Sequence, residues 1–474
     1  MRKSVALIGL SVILSVSANA EEYIIKFKNN VNPMQFFSGM ENTPKALMEN
    51  LYVVDVDHSM MSQNEVLSME LDERIEYVQP NFKMAIPELN IEAGNVAISQ
   101  ILNSKQSNGV EAAQDNPNIP ARPANPGNGA DPEFGNQWGM NDIGVKEAWN
   151  QSGTKGSDEI VVAVIDTGVD YVHEDLVYNM WRNEGEIAGN NIDDDGNGFV
   201  DDVVGWDFVS NDNKPWDLYT DPLQLLLGGG NPGHGTHCAG NVAARANNGK
   251  GVVGVAPNVR IMAMRFLSEK GQGTTSGAIQ SIKYAVDNGA HILSNSWGSV
   301  GEGSDQDENK ALRDAIQYAQ DKGILFVAAA GNGKQGKGYN NDTDSQPAYP
   351  ASYDHDIIVS VAAIDVEDNL GPFSNWGKRT VDIGAPGVKV FSTVPDSKYA
   401  DTVIDMFGLT VYWDGTSMAT PHVAGAAALY LSANPTADWT EIKEALLSSV
   451  TKVQTLNGKT SSDGKLNVLQ LMQR

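Results

Sequence analysis

The chain has 474 residues, 41% of them hydrophobic, ample for one large core and a second, smaller folded unit. Its 33 Lys and Arg against 60 Asp and Glu leave a net charge of −27, which repels phosphate and argues against nucleic acid or an anionic membrane as the main partner. A single cysteine, Cys238, excludes an internal disulfide, so stability must come from packing, with bound metal as the other candidate.

Residues 1–20 read as a signal peptide: Arg2 and Lys3, an apolar run from Val5 to Val16, and Ala18-Asn19-Ala20 as a small-x-small cleavage site. No cysteine follows that run, which excludes a lipoprotein anchor, and no later stretch reaches the ~20 apolar residues that span a bilayer. The expectation is an exported, soluble protein, extracellular or periplasmic, with no membrane anchor. Residues 21–86 carry strand-like runs at Tyr23–Lys28, Tyr52–Asp57 and Ile75–Gln79 with helix-like stretches between, the clearer at Gln63–Asp72. That pattern predicts a small α+β domain. Residues 87–131, with Pro117, Pro120, Pro123 and Pro126 among Asn, Ala and Gly, have linker composition and are a candidate processing region.

From residue 132 apolar runs alternate with helical patterns. Ile160–Ile165, Val259–Phe266, Ala290–Ser296, Ile324–Ala330 and Ile357–Ala363 have the look of buried strands, with helices at Gly277–Asn288 and Asn309–Lys322 between some of them. Strand–helix alternation predicts an α/β fold, a doubly wound and mostly parallel sheet covered on both faces. Reactive groups in such folds gather at the carboxyl ends of strands and the amino ends of helices.

Three segments fit that expectation. Asp166 closes the first long apolar strand, His234 opens a helix-like run in His234-Gly235-Thr236-His237, and Ser417 stands in Gly415-Thr416-Ser417-Met418-Ala419 where another helix begins. A hydroxyl nucleophile needs an imidazole to take its proton and a carboxylate to orient that imidazole. Asn332, in Ala330-Gly331-Asn332-Gly333, adds an amide that can donate to a developing oxyanion. Singly, each has a plainer reading as a turn former, helix cap or structural histidine. Jointly, the order Asp, His, Ser is that of subtilisin.

Residues 132–474 resemble the subtilisin-like (subtilase) serine peptidases. The resemblance implies that Asp166 orients the imidazolium, that His234 is general base and then acid, and that Ser417 is the nucleophile. Asn332 and the Ser417 backbone N–H would form the oxyanion hole. Gly271-Gln272-Gly273 and Ser296-Trp297-Gly298 would be the two strand edges that hold an extended protein or peptide substrate, making recognition largely sequence-tolerant. Ala329, Ala330 and Gly331 would wall the primary specificity pocket. Pro421 is expected in the first turn of the Ser417 helix. Cys238 reads as a small buried hydrophobe, although the resemblance suggests that a thiol there makes activity sensitive to mercurials. Residues 21–86 resemble the family's ferredoxin-like prosegment, most clearly at Ile75–Phe82, which implies a zymogen whose own prosegment is an intramolecular inhibitor and a mature enzyme that is monomeric. Two stretches are longer than the family usually shows, 215–230 and 401–413, and both are expected to rim the cleft.

Asp193-Asp194-Asp195-Gly196-Asn197 places oxygen ligands at alternate positions around a glycine turn, the local logic of a calcium loop. Asp193, Asp195 and Asn197 are the best candidate ligands, with Asp201 and Asp202 behind them. Asp175 and Asn248 match positions that hold another Ca2+ in many family members. The competing readings are a selective processing protease of the kexin type, which the 57 residues after Ser417 are too few to accommodate, and a binding-only homologue, against which the intact catalytic set argues.

Overall fold

The computed structural model describes residues 21–38, 43–56, 62–87, 117–299 and 309–474. The expected signal peptide and residues 88–116 of the linker lie outside them. The chain forms two compact units, divided between Asn81 and Phe82.

In the first unit, strands β1 (Glu21–Phe27), β2 (Lys45–Met48), β3 (Leu51–Val56) and β4 (Ile75–Pro80) make one antiparallel sheet in the order β2-β3-β1-β4, with helix α1 (Pro33–Phe37) after β1 and α2 (Gln63–Ser68) after β3. This βαββαβ arrangement is ferredoxin-like. Tyr23, Ile25 and Phe27 alternate onto the covered face of β1 and meet Val54, Val66, Ile75 and Phe37 in one core. A reciprocal capping box between Ser62 and Glu65 starts α2. β2 is a strand that the sequence pattern did not predict.

The second unit is built on nine strands in the order β19-β20-β14-β13-β12-β10-β6-β8-β7. These are β6 (Val161–Asp166), β7 (Gly205–Asp207), β8 (Arg260–Arg265), β10 (Ile292–Asn295), β12 (Leu325–Ala329), β13 (Ile358–Ile364), β14 (Ile383–Pro386), β19 (Thr451–Lys452) and β20 (Gly464–Lys465). All neighbours run parallel except β19 and β20. Strands β6, β8, β12 and β13 are buried along their whole length, as a sheet covered on both faces requires. The covering helices include α4 (His234–Ala243), α5 (Thr275–Asp287), α6 (Lys310–Asp321) and α7 (Thr416–Ala433). The strand order reverses between β6 and β10, and the carboxyl ends of those two strands carry Asp166 and Asn295-Ser296. This reversal is where ligands bind in open α/β sheets.

Three smaller sheets surround this frame. Strand β5 (Lys83–Ala85) lies between β9 (Gln272–Thr274) and β11 (Gly298–Ser299), antiparallel to both. Two ribbons, β15 (Ser392–Val394) with β16 (Lys398–Ala400) and β17 (Thr402–Met406) with β18 (Leu409–Tyr412), precede the Ser417 helix. Helix α3 (Pro222–Gly228) precedes the His234 helix.

Candidate active site

Asp166, at the last position of β6, is fully buried and accepts from its neighbour Thr167 N–H at 2.7 Å. Its Oδ1 also pairs with His234 Nδ1 at 2.7 Å. Gly235 permits this approach, because a Cβ there would lie 2.0 Å from the Gly168 carbonyl oxygen and 3.2 Å from Asp166 Cβ. Burial opposes charge on the His234 ring, but the adjacent Asp166 carboxylate outweighs it and holds the imidazole well above its ordinary value of 6.5. The other nitrogen, Nε2, is buried and has no hydrogen-bond partner among the described residues.

Asp217 supports this pair from behind. Fully buried, it accepts from Thr167 Oγ1 (2.8 Å), Thr236 N–H (2.9 Å), Thr236 Oγ1 (2.5 Å) and Asn231 Nδ2 (2.7 Å), tying the strand end that carries Asp166 to the helix start that carries His234. Asn231 Oδ1 in turn accepts from the N–H groups of Gly233 and His234. Burial raises the Asp217 carboxyl above the usual range. No periodic pattern marks this residue; four donors converging from distant segments appear only in three dimensions.

Ser417 is the second residue of α7. Pro421 lies inside this helix rather than in its first turn, which corrects the expectation from sequence. The missing N–H of residue 421 is the one that would have bonded the Ser417 carbonyl four residues back. That carbonyl instead accepts from Ser296 Oγ at 2.9 Å and Cys238 Sγ at 3.5 Å. Ser417 Oγ donates to the Ser296 carbonyl at 2.9 Å. Burial pushes the Cys238 thiol up, away from the reactive thiolate, and Sγ stands 3.9 Å from His234 Nδ1.

Asn332 follows β12. Its Oδ1 accepts from both the N–H and the hydroxyl of Thr416, each at 2.9 Å, which fixes the amide and leaves Nδ2 to donate elsewhere. Gly331 N–H bonds Thr416 Oγ1 at 3.2 Å. Ala329 is 4% exposed, whereas the Ala330 methyl is spent on a core cluster with Ala362 and Val381, so Ala330 can face a pocket only through its backbone. His237 and His422 are buried and held down to about 3 and about 4 by that burial, so they are neutral structural groups.

Both sequence-predicted strand edges pair with β5. Gly273 stands opposite Met84 and Gln272 opposite Ala85 on one side, and Gly298 opposite Ala85 on the other. Gly271, at φ +68°, accepts at its carbonyl from Ile86 N–H at 3.0 Å, and a Cβ there would meet the Ile86 side chain at 2.7 Å. Trp297 is buried with its ring edge against Phe266, centroids 5.0 Å apart, and Gly298 is the residue of that segment that pairs with β5.

The two long stretches meet each other. Leu225 of α3 packs with Ile404, Leu409 and Val411 of the β17–β18 ribbon, supported by Leu226, Val403 and Met406. The second stretch ends in Trp413, which stacks on His237 at 4.2 Å and lies 6.4 Å from the His234 ring. Asp414 Oδ1 accepts from Lys389 N–H at 2.7 Å, a structural task.

Among the acidic candidates the structure groups Asp193 and Asp195 with Glu186, whose ligand oxygens all lie within 4.8 Å of one another. Glu186 was not visible as a partner in the sequence, being seven residues before the run. Asp201 is engaged otherwise, its carboxylate accepting from the N–H groups of Gly189, Asn190 and Asn191. Asp202 accepts from Asn183, Asn197 and Tyr284, and the Asn197 oxygen accepts from Phe199 N–H. Asp175 and Asn248 are in contact, Oδ1 to Nδ2 at 2.6 Å; burial, with Asp131 and Glu174 nearby, raises Asp175 to about 7.

A doubly wound sheet with a buried Asp–His pair and a serine at a helix start, at the reversal of strand order, defines a serine hydrolase of the α/β class. Comparison with known proteins then gives the family. The model described as "Subtilase family" matches residues 157–465. Thermitase of Thermoactinomyces vulgaris is 36% identical over 345 residues, covering 72% of this chain and 98% of thermitase. A thermophilic serine proteinase of Bacillus sp. (strain AK1) is 37% identical, covering 67% of this chain and 63% of that enzyme. Subtilisin DY of Bacillus licheniformis is 35% identical over 64% of this chain and 86% of its own length. The chain belongs to the subtilase family and is a subtilisin-like serine peptidase.

Proposed function

We propose that this protein is a secreted endopeptidase of broad specificity, made as an auto-processed zymogen, with Asp166, His234 and Ser417 as its triad. The observation that carries the triad is the buried Asp166–His234 pair at 2.7 Å, whose far nitrogen is left to serve a nucleophile. Rotation of the Ser417 side chain about Cα–Cβ takes Oγ off the Ser296 carbonyl and toward His234 Nε2. Oγ attacks the scissile carbonyl carbon as its proton passes to Nε2, and the Asp166 carboxylate stabilises the imidazolium so formed. Asn332 Nδ2 and the Ser417 N–H, the latter at a helix start, stabilise the oxyanion. On collapse Nε2 returns the proton to the leaving amine, and water, deprotonated by the same nitrogen, releases the acyl group.

Specificity is broad because the channel between β9 and β11 binds backbone, as Lys83–Ala85 does. The same pairing supports the zymogen reading, since a segment N-terminal to the catalytic domain fills the channel as a peptide substrate would. Export rests on residues 1–20, and no described helix is long and apolar enough to cross a membrane. Calcium is the proposed ligand of the Glu186, Asp193 and Asp195 oxygens, a hard-donor set suited to it, with Asp175 and Asn248 as a second site. Digestion of a peptide library by the natural protein and by Ser417→Ala tests the reading: many different bonds should be cut by the first and none by the second, and equal cleavage by both would overturn the mechanism.

A further inference from the structure

Strand β5 enters the channel in a defined register. Ala85 stands opposite Gln272 on one side and Gly298 on the other, and the next residue, Ile86, donates its N–H to Gly271. Phe82 turns its carbonyl to the same side, accepting from Thr275 N–H at 2.8 Å. Backbone groups along an extended strand alternate between its two edges. Even-numbered residues here address the β9 side, so residues 83, 85 and 87 address the β11 side. Carrying the antiparallel register on from the Ala85–Gly298 pair by two residues sets position 87 opposite Ser296. A strand residue at that position donates its N–H to the Ser296 carbonyl. Residue 87 is proline and has no N–H to give. The Ser296 carbonyl accepts the Ser417 hydroxyl instead, at 2.9 Å, while His234 Nε2 goes without a partner among the described residues.

We infer that Pro87 is what makes the channel-bound segment an inhibitor rather than a substrate. It withholds the amide that anchors the residue before the scissile bond, and it leaves the Ser296 carbonyl to hold the nucleophile away from its base. The Pro87–Glu88 bond is therefore spared, and processing falls at another bond. The same absence defines a specificity rule for substrates: a proline immediately before the cut is refused. This inference rests on the zymogen reading above, and one experiment separates the two.

Two nine-residue peptides spanning Phe82–Asn90, one natural and one with Pro87→Ala, are added to mature enzyme obtained from the full chain, with inhibition and cleavage both measured. The natural peptide is expected to inhibit and to stay intact at Pro87–Glu88. The Pro87→Ala peptide is expected to be cut after residue 87 up to roughly tenfold faster, the size of one restored backbone hydrogen bond at the upper end of its range. In the full chain, Pro87→Ala should give a new amino terminus at Glu88 on terminal sequencing. Inhibition by both peptides with equal cutting after residue 87, or with no cutting of either, would overturn the role of Pro87 alone. Failure of both to inhibit or be cut would overturn the zymogen reading as well.

Discussion

Ser296 and Ser417 exchange hydrogen bonds in both directions: the Ser296 hydroxyl donates to the Ser417 carbonyl, and the Ser417 hydroxyl donates to the Ser296 carbonyl, each at 2.9 Å. The first bond exists because Pro421 deprives the Ser417 carbonyl of its helical partner. Removing the hydroxyl with Ser296→Ala leaves that carbonyl only the weaker Cys238 thiol, at 3.5 Å. A loss of about 1 kcal/mol in unfolding free energy is expected. Denaturant titration checks it in a Ser417→Ala background, which prevents self-digestion and keeps the backbone acceptor.

Asn332 is the proposed oxyanion donor, and its removal should touch both catalysis and the fold. Its Oδ1 accepts from the N–H and hydroxyl of the fully buried Thr416, so Asn332→Ala is expected to cost about 1–3 kcal/mol of unfolding free energy. It should lower kcat about 10²–10³-fold with KM nearly unchanged, the loss known for a comparable donor in subtilisin. A matching fall in affinity for substrate would assign Asn332 to binding instead.

The raised His234 gives the pH dependence its sign. An imidazole held above 6.5 stays protonated, and useless as a base, to a higher pH than a free histidine. Activity should therefore fall as pH drops through a value above 6.5, and the acid limb of kcat/KM reports it. Because Asp166 supplies the main opposing charge, Asp166→Asn should move that limb to lower pH while cutting the rate by about 10⁴. An acid limb that stays put in the variant would show that Asp166 does not set the base.

Much of this was legible in the sequence because the signals are local. Apolar runs such as Ile160–Ile165 and Val259–Phe266 are buried strands within a residue or two of where pattern put them; Asp166, His234 and Ser417 each sit at the end or start of an element that their flanking residues define, and Asn332 stands three residues past the end of β12. What escaped was convergence between distant segments. Asp217 lies in a stretch expected merely to rim the cleft, yet it bonds both sides of the Asp166–His234 pair. Glu186 joins Asp193 and Asp195 only through the path of an irregular loop. Asp201, a ligand candidate by spacing, accepts from its neighbours' N–H groups and stands outside the Glu186, Asp193 and Asp195 group.

That loop makes calcium testable by its effect on stability. Three carboxylates held this close repel one another without a cation, and a bound ion stabilises only the folded state. Chelation should lower the melting temperature of Ser417→Ala protein by roughly 2–4 °C, as expected for about 2–3 kcal/mol in a chain of this size. Glu186→Ala should remove this loop's share of the difference between chelated and calcium-loaded protein, leaving only what the second site at Asp175 and Asn248 contributes. A melting temperature indifferent to chelator would remove the ion from this loop.

The two long stretches behave as one unit, and that too can be measured. Leu225, 2% exposed, has its apolar neighbours Ile404, Leu409 and Val411 some 180 residues further along the chain, so it joins α3 to the β17–β18 ribbon. Leu225→Ala opens a void in a cluster too small to close around it, so the ribbon should lose about 2 kcal/mol of local stability. Amide hydrogen exchange at residues 402–411 should then quicken roughly thirtyfold while β6, β10 and β12 stay protected. Trp413 continues the ribbon onto His237, and so links that loosening to the His234 helix. Cleavage of long peptides, which reach the rim, should slow more than cleavage of short ones. Unchanged exchange at 402–411 would mean that the ribbon holds its shape without α3.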